Sequence, residues 1–515
     1  MRPLLTALAA AALFAPTVAT AQSLRQQVDG WRKQHEREIL DEAFALFAIP
    51  NVASNQDDIA KNMAFLTQAF GKRGVTLTPL RAASGGSPAL YGELKAPGAT
   101  RTVVFYAHFD GQPVAGGGWD HDPFTPKLNR YRNSAPTDDV PFPAPGETVD
   151  PEVRIRARSA SDDKGPIVAM LAALDAMKAL GQKGSINVKF FLEGEEEAGS
   201  NHLAEILRTN KDRLAADAWL FFDGPVHVSG TPQIVLGVRG VMGAEVTFYG
   251  ANRALHSGHY GNWAPNPAVA AAHFVASLRD RDGRVLIPGF YGDVPAPSDG
   301  DRALARALST TDDSVRTSLG LSRTEANNAA LGERIMQPAL NIRGLRAGNV
   351  GNGASNAVPT SASVSIDFRL VPDQQPARIR RLLEQHLVQQ GYTIARDANA
   401  ATSSTDRSRL AYVAYDSGYK AVQVKSTLPS VQAVKRVMAR SYGREPFTLP
   451  ILGGSLPLFH FVEQLGATVI TVPTVNADNS QHAPNENLRV GNLWDGIALL
   501  TELMTTLGKE WGPRS

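Results

Sequence analysis

The sequence predicts an α/β fold, a central mixed sheet flanked by helices that carries an inserted α+β unit. Three observations lead there. Short, largely apolar runs at Val103–Ala107, Ile186–Leu192 and Ala218–Phe222 alternate with helical patterns, as buried strands do. Strict in-and-out alternation replaces them after Val238, the mark of a sheet with one wet face. A short, largely apolar run then returns at Val469–Val472, so the first texture resumes after the second.

Taken in order, the chain opens with Met1-Arg2-Pro3, an apolar stretch from Leu4 to Val18, and Ala19-Thr20-Ala21. That order of charge, short apolar core and small residues predicts a secretory signal over residues 1–21, and hence a periplasmic or secreted mature protein. The apolar stretch is too short to span a bilayer, and no later run reaches the roughly 20 apolar residues needed, so no membrane association is expected after cleavage. Leu24, Val28, Trp31, Leu40, Ala43 and Leu46 then predict one or two amphipathic helices, ended by Ile49-Pro50-Asn51. A helix beginning at Gly165-Pro166 places Ile167, Met170, Leu171, Leu174 and Met177 on one face. The Pro-, Asp- and Ala-rich stretch from Arg130 to Val153 reads as a long surface loop.

Met242, Ala244, Val246 and Phe248 alternate with more polar or smaller residues, and Val364, Ile366, Phe368 and Leu370 repeat the pattern. Ile379, Leu382, Leu383 and Leu387 predict a helix lying on that sheet. The expected division is a larger unit over 22–237 and 429–515, interrupted by an inserted unit over 238–428. With 515 residues, 43% of them hydrophobic, there is enough apolar material for more than one core. A net charge of +2, from 52 basic and 50 acidic residues, gives no field for nucleic acid. Cysteine is absent, so any metal must be held by His, Asp and Glu.

Such residues cluster where predicted strands end. His108 and Asp110 follow the run Val103–Ala107, at a spacing that lets the carboxylate orient the imidazole. Asp162 and Asp163 precede the Gly165 helix, where ordinary capping is the competing explanation. Leu192 runs straight into Glu193-Gly194-Glu195-Glu196-Glu197, a crowd of carboxylates that is costly after a buried strand unless cations or protons neutralise it. Asp223 follows Phe222, and His482 lies beyond Val472. In open α/β sheets the carboxyl ends of strands are where sites assemble.

These motifs, in this order over nearly the whole chain after Ala21, resemble the zinc hydrolases of metallopeptidase family M twenty. That family includes carnosine dipeptidase, glutamate carboxypeptidase, succinyl-diaminopimelate desuccinylase and aminoacylase-1. The acidic run through Gly199-Ser200 is most similar to the carnosinase-type dipeptidases. The resemblance implies a zinc-peptidase-type catalytic domain with an inserted lid or dimerisation domain. It further implies two Zn2+, with Mn2+ or Co2+ as substitutes: His108 and Asp223 on one, Glu197 and His482 on the other, Asp162 bridging. Glu196 would be the general base and Asp110 would orient His108. His256, in Leu255-His256-Ser257-Gly258, would reach the partner's active site in a homodimer. Arg369, Gly454 and Ser455 would bind substrate; on local grounds these and His256 read equally as strand-face and turn residues. The substrate implied is a dipeptide or short peptide, with an N-acyl amino acid as the alternative and a non-catalytic exported binding protein as a reading of another class. Ala254 and Ser159 depart from the family pattern, at positions that bear on substrate preference and not on the metals.

Overall fold

The computed structural model describes residues 22–114, 117–132, 134–454 and 456–512. The predicted signal segment and Ser455 lie outside the described residues. Among the described residues eight strands form one mixed sheet, in the spatial order Thr78–Ala82, Gly85–Leu94, Asn187–Glu193, Thr102–His108, Ala218–Phe221, Val469–Thr471, Gln233–Val235 and Phe447–Leu449. The four that follow Gly85–Leu94 run parallel to one another. Their residues are buried almost without break because helices cover both faces. Lys164–Ala179, Pro429–Tyr442 and Val490–Trp511 pack with Val103, Phe105, Phe190 and Leu220 in one core. On the other face Leu203–Thr209 and Leu458–Leu465 enclose Tyr106, Phe191, Trp219 and Phe221 around Phe461.

A second sheet carries the alternating pattern, in the order Ala339–Ala347, Ser361–Leu370, Gly240–Tyr249, Leu410–Tyr415 and Thr393–Ile394. Met242 stands opposite Phe368 and Val246 opposite Val364, so both strands turn the same set inward. That set meets helices Pro267–Leu278 and Pro376–Gln389 through Phe274, Ile379 and Leu383 in a separate core. Where the chain crosses from the first sheet to the second it runs close against the returning segment. A Cβ on Gly237 would lie 2.2 Å from the Val422 carbonyl oxygen, and one on Gly240 2.4 Å from that of Tyr419, so both positions require glycine.

The stretch expected to be a surface loop is in part a hairpin. Lys127–Arg132 and Ala135–Asp139 pair with each other, and with Arg154–Arg156 and Asn487–Arg489 they form a small four-stranded sheet. Its strands contain Pro136, Asp138 and Asp139 and expose most of the hairpin, so composition conceals them; pairing with the buried Arg154–Arg156 strand supplies the order. Among the described residues no helix is long and apolar enough to cross a membrane.

Candidate active site

Parallel strands put their carboxyl ends on one edge, and that edge gathers the chemistry. His108 is the last residue of its strand, Glu196 and Glu197 open a short 3-10 turn just past Glu193, and Asp223 lies two residues past Phe221. His482 is brought back by the loop between Val469–Thr471 and Asn487–Arg489. Asp162 comes from the turn before helix Lys164–Ala179. Asp163 is the N-cap residue of that helix but makes no capping bond; its Oδ2 accepts from the His108 amide at 3.2 Å.

Two triads result, His108–Asp162–Asp223 and Asp162–Glu197–His482, the potential ligand atoms of each within 4.8 Å of one another. His108 Nε2 lies 3.0 Å from Asp162 Oδ1, and His482 Nε2 lies 3.0 Å from Asp162 Oδ2 and 3.2 Å from Glu197 Oε2. The two oxygens of Asp162 thus face different imidazoles, as a bridging carboxylate requires. The first triad is buried, whereas the second opens to solvent through the exposed His482.

The protons of the cluster show what it lacks. Burial, then Asp162, pushes Asp223 up to about 7. Asp162 is held far below the usual carboxylate range: burial opposes this, but hydrogen bonds to His108 and His482 prevail. His482 is raised to about 10 by Asp162 and then Glu197. Three carboxylates and two imidazoles packed this closely balance their charge with protons; divalent cations neutralise the same set without them. An all-oxygen-and-nitrogen donor set of this kind suits Zn2+, Mn2+ or Co2+. The residues present therefore fit a pair of cations.

The acidic run divides by environment. Glu193 is buried, accepts from the Tyr106 hydroxyl at 2.8 Å, and is pushed by burial to about 7. Glu195 faces away and pairs with His202 at 2.9 Å. Asp110, buried behind His108, accepts the amides of Glu196 and Glu197 at 3.1 and 2.9 Å. Its Oδ1 is 3.4 Å from His108 Nδ1, while its own carbonyl is 3.2 Å away, so the imidazole is steered by both. Burial drives the Glu196 carboxyl well above its ordinary range, with Asp223, Glu197 and Asp162 adding to the shift and His108 opposing it. Gln112, which sequence reasoning passed over, donates to Glu197 Oε2 at 2.7 Å. Its place four residues past His108 in the same strand-end loop was the available signal.

The other predicted residues belong to neither triad. Arg369 Nε donates to Asp367 Oδ2 at 3.0 Å on the second sheet. Beside it stands Arg239, also missed, which donates to the Gly453 carbonyl at 3.0 Å. Burial, then the charge of Arg369, brings Arg239 down to about 10. Arg239 thus meets the Gly453-Gly454 turn, with Arg369 near enough for its charge to be felt and Gly454 exposed. His256 is exposed; its Nδ1 accepts from the Gly258 amide at 3.1 Å and its ring lies 4.6 Å from that of His259. The single chain does not bring it to the cluster.

Comparison with known proteins agrees with this arrangement. The family model Peptidase family M20/M25/M40 matches residues 104–506. The Cys-Gly metallodipeptidase dug1 of Schizosaccharomyces pombe is 26% identical over 418 residues, 80% of this chain and 81% of that one. The Beta-Ala-His dipeptidase of Homo sapiens is 26% identical over 421 residues, 80% of this chain and 76% of that one. Among solved structures, an M20 family metallo-carboxypeptidase, Sso-CP2 from Sulfolobus solfataricus, superposes with a TM-score of 0.74 at 27% identity, covering 92% of this chain and 99% of its own. With the matched segment running from the first histidine strand through His482, the chain belongs to peptidase family M20/M25/M40 and is a metal-dependent hydrolase.

Proposed function

We propose that the protein is an exported, two-zinc dipeptidase that uses Glu196 as general base, and that it works as a homodimer. The observation that carries this is the pair of ligand triads sharing Asp162 with Glu196 beside them. When bound, two divalent cations acidify a water and polarise the substrate carbonyl. His108, Asp162 and Asp223 would hold one, and Asp162, Glu197 and His482 the other. Glu196 takes the proton of the attacking water on its carboxylate and passes it to the leaving nitrogen. A base for that exchange needs a pKa near the working pH, and burial supplies the upward shift.

Arg369 and Arg239 receive the substrate carboxylate near Gly454, a reading supported by Arg239 holding the Gly453 carbonyl with the charge of Arg369 close by. Peptides and N-acyl amino acids both offer a carboxylate. The peptide reading is favoured by the two dipeptidase relatives, whose names state Cys-Gly and Beta-Ala-His substrates.

His256 acts across the dimer, stabilising the developing oxyanion of the partner's reaction. Support comes from its exposure and from apolar side chains left exposed elsewhere on the same segment of the chain. Helix Pro267–Leu278 turns Val269, Ala272 and Ala276 to solvent, Ala339–Ala347 is an edge strand, and Trp263 and Val350 are 80% and 90% exposed. Export rests on the signal-like residues 1–21, with cleavage after Ala21.

The deciding experiment is a hydrolysis panel of dipeptides, N-acyl amino acids and acyl-diamino acids against zinc-, manganese- and cobalt-loaded enzyme. Dipeptide turnover at least tenfold above the others is expected; turnover confined to acylated amino acids would overturn the peptide assignment. Sedimentation at assay concentration tests the dimer, which a fully active monomer would exclude.

A further inference from the structure

One buried carboxylate near the ligands is not explained by metal binding or by proton transfer. Glu486 is fully buried, and its two oxygens receive five hydrogen bonds from a single neighbouring turn. Oε1 accepts from the Ser161 amide at 3.1 Å, the Ser161 hydroxyl at 2.9 Å and the Asp162 amide at 2.9 Å. Oε2 accepts from the Ser159 amide at 2.9 Å and from Arg158 Nη1 at 2.7 Å. Arg158 is itself buried, its guanidinium 5.2 Å from the centre of the Trp119 ring, so the charge of Glu486 is balanced where it lies.

The same short segment also holds the other loop. Asn487 Nδ2 donates to the carbonyls of Asn479 and Asn485 at 3.1 and 3.2 Å, closing the turn that carries His482. Asn487–Arg489 pairs antiparallel with Arg154–Arg156, which leads directly into the Arg158–Asp162 turn. Both turns need restraint: Ser159, Ser480 and His482 all hold left-handed backbone, with φ of 62°, 56° and 60°, a conformation that costs non-glycine residues free energy and persists only where surroundings over-determine it.

We infer that Glu486 is a positioning residue for the cation pair, fixing the bridging Asp162 to the loop of His482 so that both reach one ion in register. The inference rests on the two-cation reading proposed above. It assigns Glu486 no contact with substrate or cation. Replacing it with Gln leaves one acceptor oxygen for five donors and turns an NH2 group toward N–H groups. Either the Asp162 amide and Ser161, or Ser159 and Arg158, lose their partner.

The test is calorimetric zinc titration of the full chain, wild type against Glu486→Gln, with His482→Ala identifying the solvent-open site. Two zinc ions bound by wild type uphold the two-cation reading itself, and one or none would sink it independently. Given two, Glu486→Gln should weaken the Asp162–Glu197–His482 site about 10- to 100-fold, the range for lost partners behind metal ligands. Its kcat should recover at excess zinc with KM unchanged. Wild-type zinc affinity at both sites alongside a lowered melting temperature would show a merely structural role and overturn the inference. Should Glu486→Gln fail to fold, Ser161→Ala removes one of the five hydrogen bonds and decides: several-fold weaker zinc binding supports the inference, and unchanged binding refutes it.

Discussion

Loading the metal-free protein with zinc should expel protons, in a number the structure supplies. His482 stands at about 10, raised by Asp162 and Glu197, so at pH 7 it carries its second proton. His108 is also raised well above 6.5: burial pulls it down, but hydrogen bonds to Asp110 and Asp162 outweigh that. Asp223, at about 7, is half protonated at that pH. Each must give up its proton to become a ligand, so filling both sites at pH 7 should release at least about two protons per chain, with Glu196 adding its own as it is freed to act as base. The sign follows. Protons and zinc compete, affinity falls as pH falls, and between pH 7 and 8 the summed log K for two ions should rise by roughly two per pH unit. Calorimetric titration at fixed pH in two non-coordinating buffers of different ionisation enthalpy reads the number directly. A release near zero would mean that these groups are already unprotonated in the empty site, and the account of how the cluster balances its charge would be wrong.

Other consequences concern single side chains. Glu196→Gln should bind two zinc ions and lose about 10²- to 10⁴-fold in kcat, checked by metal analysis and steady-state kinetics together; near-normal kcat in loaded enzyme would remove Glu196 from the role of base. Arg239→Met and Arg369→Met should each raise KM for a dipeptide about tenfold or more with kcat changed far less, and neither should affect a substrate whose carboxylate is amidated. Asp162→Asn should abolish two-ion loading, and unchanged stoichiometry in the purified variant would argue against the bridge. Glu193, at about 7 against an ordinary 4.5, binds its proton more tightly when folded, so the stability this confers is complete below pH 4.5 and lost as pH rises through 7. Glu193→Gln keeps an acceptor for Tyr106 and should gain roughly 3 kcal/mol over wild type at pH 8 but little at pH 4.5, measured by denaturant unfolding of the metal-free protein.

The strands that lead into the acidic cluster were legible because burial on both faces writes a largely apolar run, and a reactive side chain just past such a run is conspicuous. The alternating strands at Met242 and Val364 were legible for the complementary reason, one face packed and one wet. The hairpin at 127–139 was not, since its strands are edge-like and exposed and draw their order from a partner strand distant in sequence. Nor were the short helices between Asp299 and Ile335, one of which places Ile335 against the Gly453 turn through contacts that no local periodicity encodes. Arg239 illustrates the same limit. In sequence it is one arginine between Val238 and Gly240, and only the crossing of the chain from one sheet to the other brings it beside Arg369 and Gly453.

The run Glu193–Glu197 shows how one composition yields several chemistries. Inside the strand end, Glu193 meets Tyr106 and little water, so burial keeps its proton near neutrality. Glu195 points to the far side, its carboxylate 2.9 Å from His202 Nδ1. The next two are turned to the cluster together because Asp110 accepts both of their amides, an arrangement that fixes the backbone and leaves each carboxylate to its surroundings. Glu197 reaches His482 and Gln112 at the solvent-open side, the position of the ligand proposed for the second cation. Glu196 is directed among Asp223, Glu197 and Asp162, where burial and repulsion favour the protonated form, which suits the proton-carrying role proposed for it. Asp110 therefore does more than orient an imidazole: Asp110→Asn would replace one of the two acceptor oxygens with a donor. That change should disturb the proposed ligand Glu197 and the proposed base Glu196 at once, lowering zinc affinity and kcat in the same variant. Loss of one without the other would show that the two amides are held independently.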